Sequence, residues 1–303
     1  MQKLLARFLF HTVRVLQNFA SVRGLAASKL ALGLVPGLVP GLVSGLVPSL
    51  VSGLVLSLVL SGCSATFPKD PAAKAIEQMS AAAKPLGSTI AAPRNYTADW
   101  MSLAEWYEHH ASDVRAAESG EASIVFLGDS ITQGWPDEIL VDAFKSHKIA
   151  NFGIGGDLTQ NLIWRLQNGA RGTLKPKVVV QLIGVNNMYD DPSAPGFVFA
   201  GVKAATEEAQ KAFPDARFLV IGVLPADTKN VPDPALLAEL NQKIEAMCET
   251  SSRLHYTSHA DIFLKDGSIN TELMPDKLHP NREGYQRWIT VLKPEVEALL
   301  VDE

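Results

Sequence analysis

The sequence predicts an α/β domain with a central, mostly parallel five-stranded sheet and helices on both faces. Short apolar runs, which suit strands buried on both faces, alternate along the chain with longer segments of helical periodicity. Three of these runs are followed at once by glycine and polar residues, and ligands of such sheets bind at the carboxyl ends of the strands. The expected strands are residues 123–127, 148–152, 177–183, 216–223 and 254–257.

Helical segments precede, separate and follow these runs. The first is expected at residues 97–118, with Trp100, Leu103, Trp106 and Tyr107 on or near one face. The others are expected at residues 137–146, 158–168, 197–212, 234–250 and 282–300. Asn281 stands directly before the last segment and is expected to cap its N-terminus.

The first 62 residues have the composition of a secretory signal. They contain five basic residues and no Asp or Glu, and they end in Leu60-Ser61-Gly62 directly before Cys63. This order of basic residues, apolar run and small residues is typical of a signal peptide, and the cysteine matches the bacterial lipoprotein pattern. We therefore expect residues 1–62 to be removed and Cys63 to carry palmitate. A permanent membrane helix is the alternative, which the many prolines of this stretch disfavour.

The remaining chain is acidic and long enough for one domain. Residues 63–96 are expected to form a tether and residues 97–303 the domain. With residues 1–62 removed, 22 Lys and Arg face 32 Asp and Glu, a formal charge of −10 that disfavours nucleic-acid partners. Cys248 then has no disulfide partner and is expected to be buried. Because Ser64 rather than Asp follows Cys63, the expected location is the outer membrane, facing the periplasm or the cell surface, with the lipid as anchor.

Two blocks after the first two strands carry candidate groups for nucleophilic chemistry. Ser130 follows the first strand after a Gly-Asp pair, where a serine can cap a helix or, beside a base, attack a carbonyl. The second strand leads into a glycine-rich turn in which the Gly156 N–H could face a developing oxyanion. A dinucleotide-binding loop is the alternative, but Leu158 occupies its third glycine position.

Two later blocks supply the groups that such a serine needs. An Asn-Asn pair beginning at Asn186 is expected to end the third strand, either as a plain turn or as a neutral donor to an oxyanion. Asp276 and His279 stand three residues apart, so the carboxylate can reach Nδ1 and leave Nε2 free for a serine. His255 and His259 could suggest a metal pair, but they lie at an expected strand end, and no metal is expected.

In combination, these blocks resemble the SGNH (GDSL) hydrolase superfamily. Ser130, Gly156, Asn186 and His279 provide the four letters of its name in order, and Asp276 takes the place of its aspartate. The resemblance implies that Ser130 is the nucleophile, His279 the base and Asp276 the residue that orients it. It also implies an oxyanion hole made by the Ser130 and Gly156 amides and the Asn186 side chain.

Longer matches at residues 124–135 and 151–166 resemble the platelet-activating-factor acetylhydrolase-like subgroup. The resemblance covers residues 100–300 and implies a flavodoxin-like three-layer α/β/α fold and catalysis without a cofactor. The expected function is that of a serine esterase that removes short acyl groups, acetyl first, from a glycan or related envelope or extracellular molecule. A lysophospholipase or broad esterase is the alternative among enzymes, and a catalytically silent, surface-anchored binding module is the alternative from another class.

Overall fold

The fold is taken from a computed structural model that describes residues 87–190, 195–226 and 234–301. Cys63, the expected signal peptide and residues 63–86 of the expected tether lie outside these ranges. Within them, five strands form one sheet in the order β2-β1-β3-β4-β5, and every neighbouring pair is parallel. The strands are β1 (Ile124–Gly128), β2 (Ile149–Gly153), β3 (Val178–Leu182), β4 (Arg217–Ile221) and β5 (Leu254–Thr257). The expected parallel sheet of five strands is confirmed.

Helices flank this sheet in two layers, which makes a three-layer α/β/α fold. Eight α-helices occur in the described ranges: α1 (Leu103–Ser119), α2 (Ser130–Gln133), α3 (Asp137–Ala143), α4 (Thr159–Gln167), α5 (Val185–Asp190), α6 (Pro195–Ala212), α7 (Pro234–Cys248) and α8 (Arg282–Leu300). Helices α4, α6 and α7 pack side by side, whereas α8 packs against α3 and against strands β3 and β4. None of these helices is long and apolar enough to cross a membrane.

The first helix begins later than the sequence pattern predicts. The helix begins at Leu103 because the Ser102 hydroxyl accepts the Glu105 N–H, and the Glu105 carboxylate accepts the Ser102 N–H in return. Trp100 therefore precedes the helix and is 62% exposed, whereas Trp106 is fully buried. The expectation that both tryptophans share one helix face is wrong.

Residues 88–94, which fall within the expected tether, are hydrogen-bonded to the N-terminal turn of α4. The Ala92 N–H donates to the Gln160 carbonyl, and the Asn161 side chain donates to the Ala92 carbonyl. The Thr159 hydroxyl donates to the Ser88 carbonyl in the same region. This segment therefore lies beside the first turn of α4, the helix that follows the carboxyl end of β2.

Two features anchor the C-terminal helix. Asn281 caps α8 as expected, since its side chain accepts the Gly284 N–H at 2.9 Å. Tyr285 and Trp288 are buried on this helix and pack against Trp135 as tilted ring pairs, with centroids 4.6 and 4.9 Å from the Trp135 ring. The helix start is therefore fixed against the residues that follow α2, and the loop before it is held close to the end of β1.

The register of the sheet brings the candidate site residues to one edge. Gly128 pairs with Gly153 of β2 and with Leu182 of β3, so the neighbouring strands β2, β1 and β3 end level with one another. Ser130, the turn after β2 and helix α5 all follow these ends directly. Elsewhere, Cys248 at the end of α7 is buried, as expected, and is a free thiol.

Candidate active site

Ser130 is the first residue of α2 and lies two residues beyond the end of β1. Asp129 is the N-cap of this short helix, and its carboxylate accepts the Ile131 N–H at 3.0 Å. The serine is thus not the cap itself, and its hydroxyl is free to point elsewhere. Its Oγ lies 2.8 Å from Nε2 of His279, 149 residues later in the chain. The structure therefore brings together the serine and the histidine that the sequence singled out.

The carboxylate of Asp276 holds the other side of the His279 ring. Its Oδ2 lies 2.6 Å from His279 Nδ1, while its Oδ1 accepts the backbone N–H groups of Leu278 and His279 at 3.0 and 2.7 Å. Lys277 takes a φ of 62°, which closes the tight turn between the two side chains. Although partial burial acts to raise it, these hydrogen bonds hold the pKa of Asp276 below its usual value. An ionised Asp276 places the ring proton on Nδ1, which leaves Nε2 to accept the serine proton.

The turn after β2 leaves one backbone donor free. In the run from Ile154 to Asp157, the Ile154 N–H donates to the Gly128 carbonyl, the Gly155 N–H to the Gln133 side chain and the Asp157 N–H to the Ile154 carbonyl. Among the described residues, no partner accepts the N–H of Gly156 or that of Ser130. Gly156 has a φ of 71°, a conformation that favours glycine.

Asn186 lies in the first turn of α5, not at the end of β3 as the sequence suggested. The strand stops at Leu182, and Gly184 with a φ of 130° turns the chain into the helix. The Asn186 amide donates one proton to the Asp157 carbonyl at 2.9 Å. Since a primary amide has two protons, one remains for a ligand beside the Gly156 turn.

The residue that connects these loops was not predicted from the sequence. Arg165 of α4 is fully buried, and its guanidinium donates to the Asp157 carboxylate at 2.7 Å and to the Asp113 carboxylate at 3.0 Å. It also donates to the carbonyls of Phe152 and Gly128 at 2.9 and 3.2 Å. The signal available in the sequence was an arginine within the otherwise apolar run of α4, where a buried charge requires a partner.

The two histidines considered as a metal pair have other surroundings. His255 lies in β5, and His259 is buried just after it. The Trp288 ring N–H donates to His259 Nδ1 at 2.7 Å, and His259 Nε2 lies 2.9 Å from a Glu295 carboxylate oxygen. Both ring nitrogens of His259 are thereby engaged in holding helix α8.

Asp129, directly before the nucleophile candidate, is fully buried, and its Oδ2 has no hydrogen-bond partner in the described part of the chain. Burial raises the pKa of this carboxyl group to about 7, against the lowering effect of the Ile131 N–H. The group that caps α2 is therefore far easier to protonate than an exposed aspartate.

Asp129→Asn is expected to weaken the pH dependence of folding stability. With a pKa raised from 3.8 to about 7, Asp129 binds its proton more tightly in the folded than in the unfolded state. The free energy of unfolding therefore falls as pH rises through this window, by at most about 1.4 kcal/mol per pH unit for this one group. Urea unfolding between pH 4 and pH 8 measures the slope, and Asp137→Asn, an exposed residue of α3, is the control. Equal slopes for wild type and Asp129→Asn would contradict the assignment.

Two named human proteins are similar to this chain in sequence. The chain is 35% identical over 188 residues to the human platelet-activating factor acetylhydrolase IB subunit alpha1, a match that covers 61% of this chain and 78% of that protein. It is 30% identical over 197 residues to the human alpha2 subunit, covering 64% of this chain and 83% of that protein.

Two solved structures have a similar fold, and the sequence pattern of one family matches the chain. A Streptococcus pneumoniae structure described as a platelet activating factor aligns with a TM-score of 0.56 at 21% identity, covering 64% of this chain and 94% of that one. A Bacteroides fragilis structure described as an acylhydrolase aligns with a TM-score of 0.50 at 24% identity, covering 59% and 88%; both likenesses concern the fold. The sequence pattern of the GDSL-like Lipase/Acylhydrolase family matches residues 126–287. The chain belongs to the GDSL-like lipase/acylhydrolase family and is a hydrolase of ester bonds.

Proposed function

We propose that this hydrolase is a serine esterase that removes short acyl groups, acetyl first, from a glycan or related envelope or extracellular molecule. The observation that carries the proposal is the continuous contact from Asp276 through His279 to Ser130, at 2.6 and 2.8 Å. These are the distances at which a base can take the proton of a nucleophile and be oriented by a third group.

The reaction follows from the protons that each group holds. Ser130 Oγ attacks the ester carbonyl carbon while its proton passes to His279 Nε2, and the carbonyl oxygen becomes an oxyanion. Collapse of this intermediate breaks the bond to the alcohol, which leaves with the proton from Nε2. Water then attacks the acyl-serine with Nε2 as base, and the acid departs as the Ser130 hydroxyl regains its proton. Asp276 stabilises the imidazolium in both halves without itself being protonated.

Three donors are proposed to hold the oxyanion in both steps. The N–H groups of Ser130 and Gly156 are without partners in the described structure, and Asn186 has one amide proton left after its bond to Asp157. Preorganised donors of this kind stabilise charge that develops only in the transition state. Their position past the ends of β1, β2 and β3 supports a common target, since these strands end level.

The acyl part and the alcohol part of the proposed substrate are supported by different observations. An acetyl group is supported by the relatives at 30–35% identity, whose names are those of acetylhydrolases. The glycan or envelope alcohol is proposed from the expected export of the chain, with its signal at residues 1–62 and lipid at Cys63. The lipid is proposed to hold the enzyme at the outer membrane, so that its substrate lies in the periplasm or outside the cell.

Ser130→Ala is expected to abolish labelling by a fluorophosphonate probe and to reduce hydrolysis of 4-nitrophenyl acetate by at least about four orders of magnitude, because Ser130 Oγ is the atom proposed to form the acyl-enzyme. Ser119→Ala, an exposed serine at the end of α1, is the control and is expected to react as wild type. Labelling of Ser130→Ala at the wild-type rate would contradict the assignment of the nucleophile.

Asn186→Ala is expected to lower kcat by about a hundred- to a thousandfold with KM little changed, because its contact is strongest in the transition state. Asn168→Ala is the matched control, since that exposed asparagine also donates to a backbone carbonyl, at the far end of α4. Thermal unfolding of both variants checks that they fold. An intact kcat with a raised KM would make Asn186 a residue that binds the ground state instead.

Cys63→Ser is expected to block both incorporation of radiolabelled palmitate and removal of residues 1–62, because the cysteine thiol is the proposed site of lipid attachment. Cys248→Ser is the control, as it leaves Cys63 in place and changes a thiol within the domain. The measurement is labelling and gel mobility in a bacterial host, followed by membrane fractionation. Processing and labelling of Cys63→Ser as in wild type would show that the chain is not a lipoprotein.

A further inference from the structure

Arg94 lies against the turn that carries Gly156. A Cβ built on Gly156 would stand 2.3 Å from Arg94 Nη2 and 2.5 Å from Trp100 Cη2. The guanidinium and the indole therefore fill the space that a side chain at position 156 would need. Arg94 precedes residues 126–287, the part of the chain that matches the family pattern. It belongs to the segment 88–94, which is hydrogen-bonded to the first turn of α4.

The surroundings of Arg94 are unusual for a buried cation. The side chain is 2% exposed, yet among the described residues no carboxylate forms an ion pair with it. Its Nη1 donates to the Met101 sulfur at 3.0 Å, its Nη2 to the Tyr96 hydroxyl at 3.0 Å, and its Nε has no partner. Burial of a charge among neutral groups costs folding free energy unless a negative charge nearby compensates it.

Aromatic rings keep this cation dry from the solvent side. The Arg94 guanidinium carbon lies 4.5 Å from the centroid of the Tyr96 ring and 5.0 Å from that of the Trp100 ring. Both rings are exposed themselves, Trp100 at 62%. The faces of the rings compensate part of the lost hydration of the guanidinium, and the Trp100 ring also lies against Gly156. Electrostatic effects are stronger in such a place than at the surface.

Two buried carboxyl groups lie near the site, and a second cation besides Arg165 would offset their negative charge. Asp129 adjoins Ser130 and Asp157 adjoins Gly156, and both carboxyl groups are fully buried. Negative charge on either one opposes an oxyanion formed beside them, and Arg165 is already bonded to Asp157 and Asp113. Burial raises the pKa of Asp157, and the charges of Arg165 and Arg94 both oppose that rise. The positive charge of Arg94 therefore makes the electrostatic potential at this turn more positive. The N–H groups of Arg94 that have partners donate to neutral atoms.

We propose that Arg94 is a positioning residue for the oxyanion hole: it holds the Gly156 turn in place and supplies the positive potential that favours negative charge on the bound carbonyl oxygen. It acts through the Gly156 amide and through space rather than by touching the substrate. The inference rests on the proposed esterase function of the same site.

The test compares Arg94→Met with Arg94→Lys in the full chain, with 4-nitrophenyl acetate and a fluorophosphonate as probes. Methionine keeps an apolar stem between the rings but has no charge, whereas lysine keeps the charge. Arg94→Met is expected to lower kcat roughly tenfold to a hundredfold with KM within about threefold of wild type, because charge on the oxygen develops only in the transition state. The rate constant for phosphonylation of Ser130 is expected to fall in parallel. Arg94→Lys is expected to recover most of both rates.

Arg253→Met is the matched control, because that half-buried arginine donates to the carbonyls of Pro214 and Ala216 at the amino ends of the strands, the opposite edge of the sheet. It removes the same charge and is expected to leave both rates unchanged. Wild-type rates in Arg94→Met, or equal losses in the methionine and lysine variants, would overturn the role of the Arg94 charge. An inactive, unlabelled wild type would instead overturn the esterase proposal, and the Arg94 role with it.

Discussion

The arrangement of the candidate active site, at the carboxyl ends of the strands, depends on the buried guanidinium of Arg165. It bonds to the carbonyl of Gly128 at the end of β1, to that of Phe152 in β2 and to the side chain of Asp157 in the turn that follows. The Asp157 carbonyl in turn accepts the Asn186 amide from the helix after β3. Loops from three strands are thus fixed relative to one cation. Because removal of one partner from such a network leaves uncompensated buried charge, costing several kcal/mol, the loops cannot shift independently.

This network holds the loops of the candidate site in one arrangement. The Trp106 ring N–H donates to the second oxygen of the Asp157 carboxylate at 2.6 Å, so helix α1 is tied to the same turn. Every N–H of that turn except the one at Gly156 is used internally. The turn is therefore held in place by several hydrogen bonds, and no atom of the described residues accepts the N–H of Gly156. Rigid, unsatisfied donors are what stabilisation of a developing charge requires.

Much of this could be predicted from the sequence, because it depends on local patterns. The strand positions follow from apolar runs, and the observed strands begin within one residue of those expected. The contact of His279 with Asp276 and Ser130 is consistent with local features of the sequence, a three-residue spacing and a strand end. The contacts of Arg165 and Arg94 could not be predicted, since each depends on residues far away in the chain. Asn186 lies in the first turn of α5 and not at a strand end, because β3 stops at Leu182 and Gly184 turns the chain into the helix.

The central claim is that Ser130 is the nucleophile and that the Ser130 and Gly156 amides and the Asn186 side chain receive the oxyanion. A crystal structure of the protein after reaction with a small alkyl fluorophosphonate tests this most directly, because the phosphonyl oxygen takes the place of the oxyanion. The account predicts a covalent bond to Ser130 Oγ, with that oxygen within about 2.7–3.1 Å of all three donor nitrogens. An adduct on another residue, or a phosphonyl oxygen turned away from Gly156 and Asn186, would contradict it.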